Sequence, residues 1–409
     1  MNKRVNASAL GYAISFLLMI ALLCTGVLLI SSVNKRLEHF YLTKEHLVFD
    51  NYVSLQFGAS MKSSTRELIH YSGDTSLILK KQWGAFEIIT SNTFHKSLHI
   101  ESSVLIGHET SNDIPTLYIP ENNQPLKLAG DALVEGDVFI SERGVDRAYI
   151  AGRSFSRNKL IDGKISKSER FLPALGDGIS LLEVENLLKN TQKVEQLPID
   201  SSFSFQAKTT LYQTFDPVVL NQKLKGNLII RSFEKITVTE KSHLEHIILI
   251  APEVIFEKNV RAVTQVIAQK RIILENDVKL LYPSVCVLQE EKPEIDGKIH
   301  EILIGENTQV LGGVLLRSSQ PDFRKPLRLS IASQSVVAGL VYNSGETEIK
   351  GSIIGHCYTN ALVLRYGGGE NSNHLLDCTL SSEKLPKGFV FPNWLKNHPK
   401  ETSKIIARL

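Results

Sequence analysis

The sequence predicts a mainly β protein: a single N-terminal transmembrane helix and stalk, followed by a three-sided parallel β-helix, or solenoid, with a helical excursion and capping segments. Three observations predict it. Residues Ala7 to Val33 carry no charge. Nine positions taken at a six-residue step from Val238 are all apolar. Apolar residues also recur at eighteen, as Val238, Phe256 and Leu274 do, which is the length of a coil with three six-residue sides.

The stretch "ASALGYAISFLLMIALLCTGVLLISSV" is long enough, at about 1.5 Å per residue, to exceed the roughly 30 Å of a bilayer core. A cleavable signal peptide shares its short basic start, here Lys3 and Arg4, but has an apolar core of only about 7–15 residues and a small-x-small site. This stretch closes on no such site, so residues 1–34 read as a tail and membrane anchor. Lys3 and Arg4 on one side face Lys35, Arg36 and Lys44 on the other, which leaves the positive-inside rule nearly balanced. The short basic tail points to a cytoplasmic N-terminus, a single pass through the inner (cytoplasmic) membrane and an extracytoplasmic, periplasmic domain. Residues 35–72 hold Leu37, Phe40, Leu47, Val53 and Phe57 in loosely helical spacing and read as a helical or mixed stalk. Residues 73–116 read as mixed strands and loops that shield the first coil.

From Val238 the six-residue step passes Leu244, Ile250, Phe256, Ala262, Ala268, Leu274, Leu280 and Cys286. Two residues earlier stand Ile236, Ser242, Ile248, Val254, Val260, Val266, Ile272, Val278 and Ser284. A helix of 3.6 residues per turn cannot keep that period on one face, whereas in a strand residues i and i+2 point the same way and the next few residues turn a corner. These residues are therefore expected to face the inside of a solenoid spanning 221–380. Ile304 follows Leu274 by one coil plus a twelve-residue insertion near 289–299, and Ile331 follows after a nine-residue insertion near 318–327. Ile349 then follows at eighteen, with Gly351 and Gly355 suited to tight corners. The Gly-Asp repeats at 130/131 and 136/137, with Gly144, Gly152 and Gly163, place first coils at 117–170. Residues 171–220 form a linker whose stretch 179–196 has helical periodicity, and 381–409 a C-terminal cap.

Composition limits the functions open to the chain. Its 409 residues are 43% hydrophobic and 22% charged with a net charge of +3, and no basic run is interleaved with aromatics, which excludes a nucleic-acid groove. Of the four cysteines, Cys24 lies in the membrane stretch, while Cys286, Cys357 and Cys378 form no CxxC pair and read as buried thiols. An extracytoplasmic location leaves a disulfide open. His356, Cys357, His374, Asp377 and Cys378 are the candidate metal ligands, in a spacing that matches no standard finger, so no metal or other cofactor is expected. Glu240, Glu257 and Glu275 recur at seventeen and eighteen residues and read as a solvated acidic ladder beside Lys241 and Lys258. "RYGGGENSN", residues 365–373, lacks the strand-to-helix setting of a phosphate loop.

Two resemblances follow. The residues after the aliphatic positions, such as Glu245, Glu257 and Glu275, depart from the hexapeptide-repeat acyltransferases, which often place Gly there. "VVAGLVYNSGETEIKGSIIGHCYTN" resembles the bactofilins, polymer-forming β-helix proteins, over about residues 226–365. "KRVNASALGYAISFLLMIALL" resembles the membrane segment of minor pilins and pseudopilins, without their early acidic residue or Gly-Phe processing site. The resemblances imply a structural, self-associating role rather than an enzyme: a membrane-anchored scaffold or assembly protein of the bacterial cell envelope, in the setting of a pilus-like or secretion apparatus. Its expected partners are the lipid bilayer and envelope or secretion-apparatus proteins or further copies of itself. The alternative expectation is a membrane-anchored carbohydrate-binding or carbohydrate-active β-helix protein with a polysaccharide partner.

Overall fold

The computed structural model describes residues 7–62, 65–71, 73–109, 114–176, 185, 188, 190–290, 299–318, 327–392 and 402–409. Its structure is mainly β, with one long apolar helix at the N-terminus. The chain divides into two compact units. One holds the helix up to Phe57 with residues 66–78 and 91–102; the other holds residues 58–65, 79–90 and everything from 103 onward.

In the first unit the helix Ala7–Ser60, 54 residues in all, continues far past the uncharged stretch. It is long and apolar enough to be a candidate membrane span. Its early side chains, Leu10 to Ile30, are exposed, as lipid-facing residues would be, and burial begins only at Leu47. Near its end Asn51 replaces an apolar contact with a polar clamp. Its Nδ2 donates to Thr93 Oγ1 and the Ile100 carbonyl, each at 3.1 Å. Asp74 lies close by, accepting or sharing a proton with His95 Nδ1 at 2.6 Å, and burial with the Asp74 contact raises the Asp50 carboxyl above its usual range. The stalk expected over 35–72 is thus helix to Ser60, and the first strand begins at Arg66.

In the second unit the carbonyls that end this helix find a buried cation. Lys80 Nζ donates to the carbonyls of Met61 at 2.8 Å and Ala59 at 3.3 Å. It also pairs with Glu87 Oε2 at 3.2 Å, both side chains being almost fully buried. Orphan carbonyls and the negative end of the helix dipole both favour a cation there.

The main body of this unit is one closed network of parallel pairings in which each short segment lies in register on its counterpart in the next passage of the chain. Val238 pairs with Phe256, Phe256 with Leu274, Leu274 with Ile304, Ile304 with Ile331 and Ile331 with Ile349. A second column runs Ile236, Val254, Ile272, Ile302 and Leu329, and a third Leu224, Leu244, Ala262, Leu280, Val310, Val337 and Ile353. All belong to one buried apolar cluster. Stacking aliphatic residues on their own kind places branched side chains against neighbours of equal size, the packing that β-branched residues favour. The register resumes across the spacings of thirty and twenty-seven, and residues 291–298 and 319–326, where the insertions were placed, lie outside the described residues.

The six-residue step slips at one point. Ile250 pairs with Arg231 and Ile267 and joins a second apolar cluster on the other side of the strand, while Leu249 takes the inward column with Ile230 and Val266. The cause is His246, which stands at φ +57 and adds one residue between Glu245 and Ile247. Corners elsewhere use Asn259, Asp277, Asn307 and Gln334 in the left-handed region, where Asn and Asp are tolerated best. Glycine is demanded at Gly312, Gly339 and Gly355, stacked in one column. A Cβ on Gly339 would lie 2.3 Å from the Gly312 carbonyl oxygen and one on Gly355 2.1 Å from that of Gly339.

Order in space differs from order in the chain. Leu117 and Tyr118 pair with Cys357 and Tyr358, and Leu133 to Glu135 with Thr379 to Ser381. Val138 then stacks on Leu117, and Ile165 on Val138. The residues expected to begin the stack therefore lie beyond its last strands, and the opposite end is made by Gln192–Val194 on Thr210–Tyr212. Tyr342, Tyr358, Tyr118 and Phe139 form an aromatic column across the junction, with ring centroids 6.3, 5.6 and 5.9 Å apart. The returning segment is tied to that column: Tyr342 Oη donates to the Pro173 carbonyl at 3.0 Å and Tyr118 Oη to that of Phe171 at 3.2 Å. Half of the helix expected at 179–196 lies outside the described residues; within the rest Glu185 and Leu188 are helical, while Gln192–Val194 is a strand. The apolar side formed by Ile248, Ile267 and Val285 is covered by Trp83, Phe86 and Leu105. Gln265 fixes that cover, accepting from the Ala85 amide at 2.7 Å and donating to the Trp83 carbonyl at 3.0 Å. In the C-terminal region Thr402–Arg408 is a strand antiparallel to residues 104–109.

Because Val266 and Ile272 are fully buried in inward columns, Val266→Asp or Ile272→Asp should abolish cooperative thermal unfolding of the native state, a buried carboxylate costing several kcal/mol. Circular dichroism melting checks this, and a wild-type transition in either variant would contradict the inward placement.

Candidate functional surface

The candidate metal ligands do not form one site. His356 is buried, and its Nδ1 donates to the Pro115 carbonyl at 2.9 Å, while burial lowers its pKa and keeps the ring neutral. Cys357 and Cys378 are fully buried free thiols, and desolvation pushes both up to about 12, so neither supplies the thiolate that a metal or an electrophile needs. Cys286 is raised to about 12 in the same way. His374 Nδ1 donates to the Ser372 carbonyl at 2.6 Å. Asp377 pairs with Arg153, and its Oδ1 accepts from the Asp131 amide at 2.9 Å. Among the described residues no three His, Cys, Asp or Glu side chains converge on a point where a metal could sit.

The acidic positions are also separated by register. Because Val238 opposes Phe256, the residue in line with Glu257 and Glu275 is Thr239, and Glu240 falls one place further on. Glu275 Oε2 accepts from the Lys258 amide at 3.2 Å and so serves its corner. The glycine-rich stretch forms an antiparallel hairpin, Val363 opposite Ser372 and Tyr366 opposite Gly369. Arg365 braces its base through Glu346 at 2.6 Å and Glu370 at 2.7 Å.

The features that distinguish this surface are columns that single residues do not reveal. On one side Lys235, Glu253, Arg271, Glu301, Arg328 and Glu346 stand in unbroken register, alternating in sign at every rung. Lys235 meets Glu253 at 3.5 Å and Arg271 meets Glu301 at 2.9 Å. Opposite charges on adjacent strands stabilise a ladder by up to about 1 kcal/mol per pair. A second side carries Lys223, His243, Arg261 and Lys279. Lys223 pairs with His243 and Arg261 with Lys279, and the neighbouring pair Leu244–Ala262 brings the two halves into line. All four are exposed. Lys223, His243 and Arg261 line an open groove of about 720 Å³, together with Lys225, Ser201, Ser202, Asn259 and the carboxylates Asp200, Glu240 and Glu245. The signal for part of each column was an eighteen-residue recurrence of charge, as in Lys235, Glu253 and Arg271 and in His243, Arg261 and Lys279.

Comparison with known proteins finds no matching family model, no matching curated protein and no matching solved structure.

Exchanging the charges of Arg271 and Glu301 tests the alternating column. Glu301→Arg alone and Arg271→Glu alone each set two like charges against the changed residue and should lower thermal stability, whereas the double exchange restores their own opposed pair at the expense of Glu253 and Arg328 and should be no less stable than either single variant, and so about 0.5–1 kcal/mol more stable than the sum of the two changes. A double variant no more stable than the sum of the two single changes would show that the column contributes no pairing energy.

Proposed function

We propose that the second unit is a three-sided parallel β-helix and that the chain is a non-enzymatic, single-pass membrane scaffold of the bacterial cell envelope. The observation that carries this reading is the unbroken register of the columns from Leu224 to Leu380, which makes a stack of strands with regular outer faces. Such faces suit binding an extended partner or further copies of the chain. Buried thiols, separated carboxylates and a hydrogen-bonded histidine favour a scaffold over an enzyme. The uncharged helix and its short basic start support an inner-membrane anchor with the β unit outside the cytoplasm, and the bactofilin-like and pilin-like patterns point to self-assembly or a secretion apparatus as its setting.

Crosslinking in native membranes with mass-spectrometric identification, joined to protease accessibility in spheroplasts, tests the reading. Recovery of further copies or of envelope assembly proteins, with the β unit open to protease, is the expected result. A β unit protected from protease, or a chain that crosslinks to nothing, would overturn it.

A further inference from the structure

The two charged columns obey opposite rules. Along Lys235 to Glu346 sign alternates, so each rung relieves the next. Along Lys223, His243, Arg261 and Lys279 basic residues repeat at the strand spacing of about 4.8 Å, an arrangement that costs stability because like charges oppose each other directly. Among the described residues Lys223, Arg261 and Lys279 have no ion-pair partner. Nearby Lys225, in contrast, is paired with Glu245 at 2.8 Å, and Asp200 Oδ1 is engaged by the Lys223 amide at 2.7 Å. The stack that neutralises charge on one side has left three cations unneutralised on another.

We infer that this column is a binding track for a linear acidic polysaccharide, laid along the stack with about one carboxylate of the glycan to each rung. The spacing favours that ligand over others. A rung of about 4.8 Å accommodates one extended sugar residue, whereas phosphates of a duplex strand recur at about 3.4 Å. The groove offers no Phe, Tyr or Trp on which a base would stack, and it places the Ser201 and Ser202 hydroxyls beside the track, where they can accept hydrogen bonds from sugar hydroxyls; of the carboxylates that also line it, Glu245 is paired with Lys225 and Asp200 is engaged by the Lys223 amide, while Glu240 lies at the side of the column. A single file of charges matches a linear chain better than laterally mobile lipid headgroups. The inference goes beyond the scaffold role and rests only on the observed register, so either can fail without the other.

The test is calorimetric titration of the full-length chain, in nanodiscs of zwitterionic lipid, with α-1,4-linked hexagalacturonate. Maltohexaose, a single-stranded oligonucleotide and phosphatidylglycerol vesicles serve as comparators. Hexagalacturonate should bind, more weakly as salt rises, and Arg261→Gln/Lys279→Gln should weaken it about tenfold, two exposed pairs being worth about 1 kcal/mol or slightly less each. The melting temperature of that variant should hold or rise, which separates lost binding from lost folding. The same change at exposed Lys159 and Lys164 should leave binding intact. Absent binding, equal binding of maltohexaose, preference for the oligonucleotide or the vesicles, or undiminished binding by the double variant would each overturn the inference.

Discussion

Parallel, in-register pairing is the constraint on which the second unit depends. Once Val238 lies on Phe256 and Phe256 on Leu274, every other position of the passage is assigned a column, inward or outward. A one-residue slip would turn each inward aliphatic side chain to the surface, so the apolar columns and the backbone ladder enforce one another. Register also decides the surface chemistry, since residues far apart in sequence become neighbours about 4.8 Å apart and their charges add or cancel in files. The alternating column and the repeating cationic column are two outcomes of the same geometry.

The same constraint accounts for how the chain is finished. A stack of strands exposes an unpaired edge at each end, a site for unwanted association. Here residues 117–147 return to cover the edge left by Ser352–Ser381, and the Tyr342–Tyr358–Tyr118–Phe139 column seals that junction. The interior is continuous across it: Cys357 stacks on Leu117 as Val341 stacks on Cys357. Burial of the three thiols follows from their place in or against these columns.

Much of this could be read from the residues because the inward positions tolerate only apolar side chains. Ile304, Ile331 and Ile349 stand in the column that holds Val238, at the spacings the repeat implies. What escaped was whatever leaves the composition unchanged. The extra residue at His246 moves Ile250 to the opposite side, yet Leu249 and Ile250 are interchangeable in any hydrophobicity pattern. The stacking of residues 117–147 beyond the last strands escaped because a period says which residues resemble each other and not which passages adjoin. The helix to Ser60 is a third case: beyond Val33 its polar and apolar residues mix, and what holds its last turns, the Asn51 clamp and the Lys80 ammonium on the Ala59 and Met61 carbonyls, is tertiary contact. Of the surface, single candidate residues were visible but their grouping was not, since grouping needs register. Lys223 stands twenty residues before His243 rather than eighteen, which hides the fourth rung of the cationic column.

Register is accordingly the quantity to measure, and its most demanding instance is the pairing of Ile273 with Leu303, thirty residues apart. In the double variant Ile273→Cys/Leu303→Cys the two Cα atoms would stand about 5 Å apart, within disulfide reach. Mild oxidation followed by peptide mapping should find the two introduced thiols joined within a single chain. Failure of that bond to form, with ready bonding instead in Ile273→Cys/Glu291→Cys at the uninterrupted eighteen-residue interval, would contradict the register and the columns built on it.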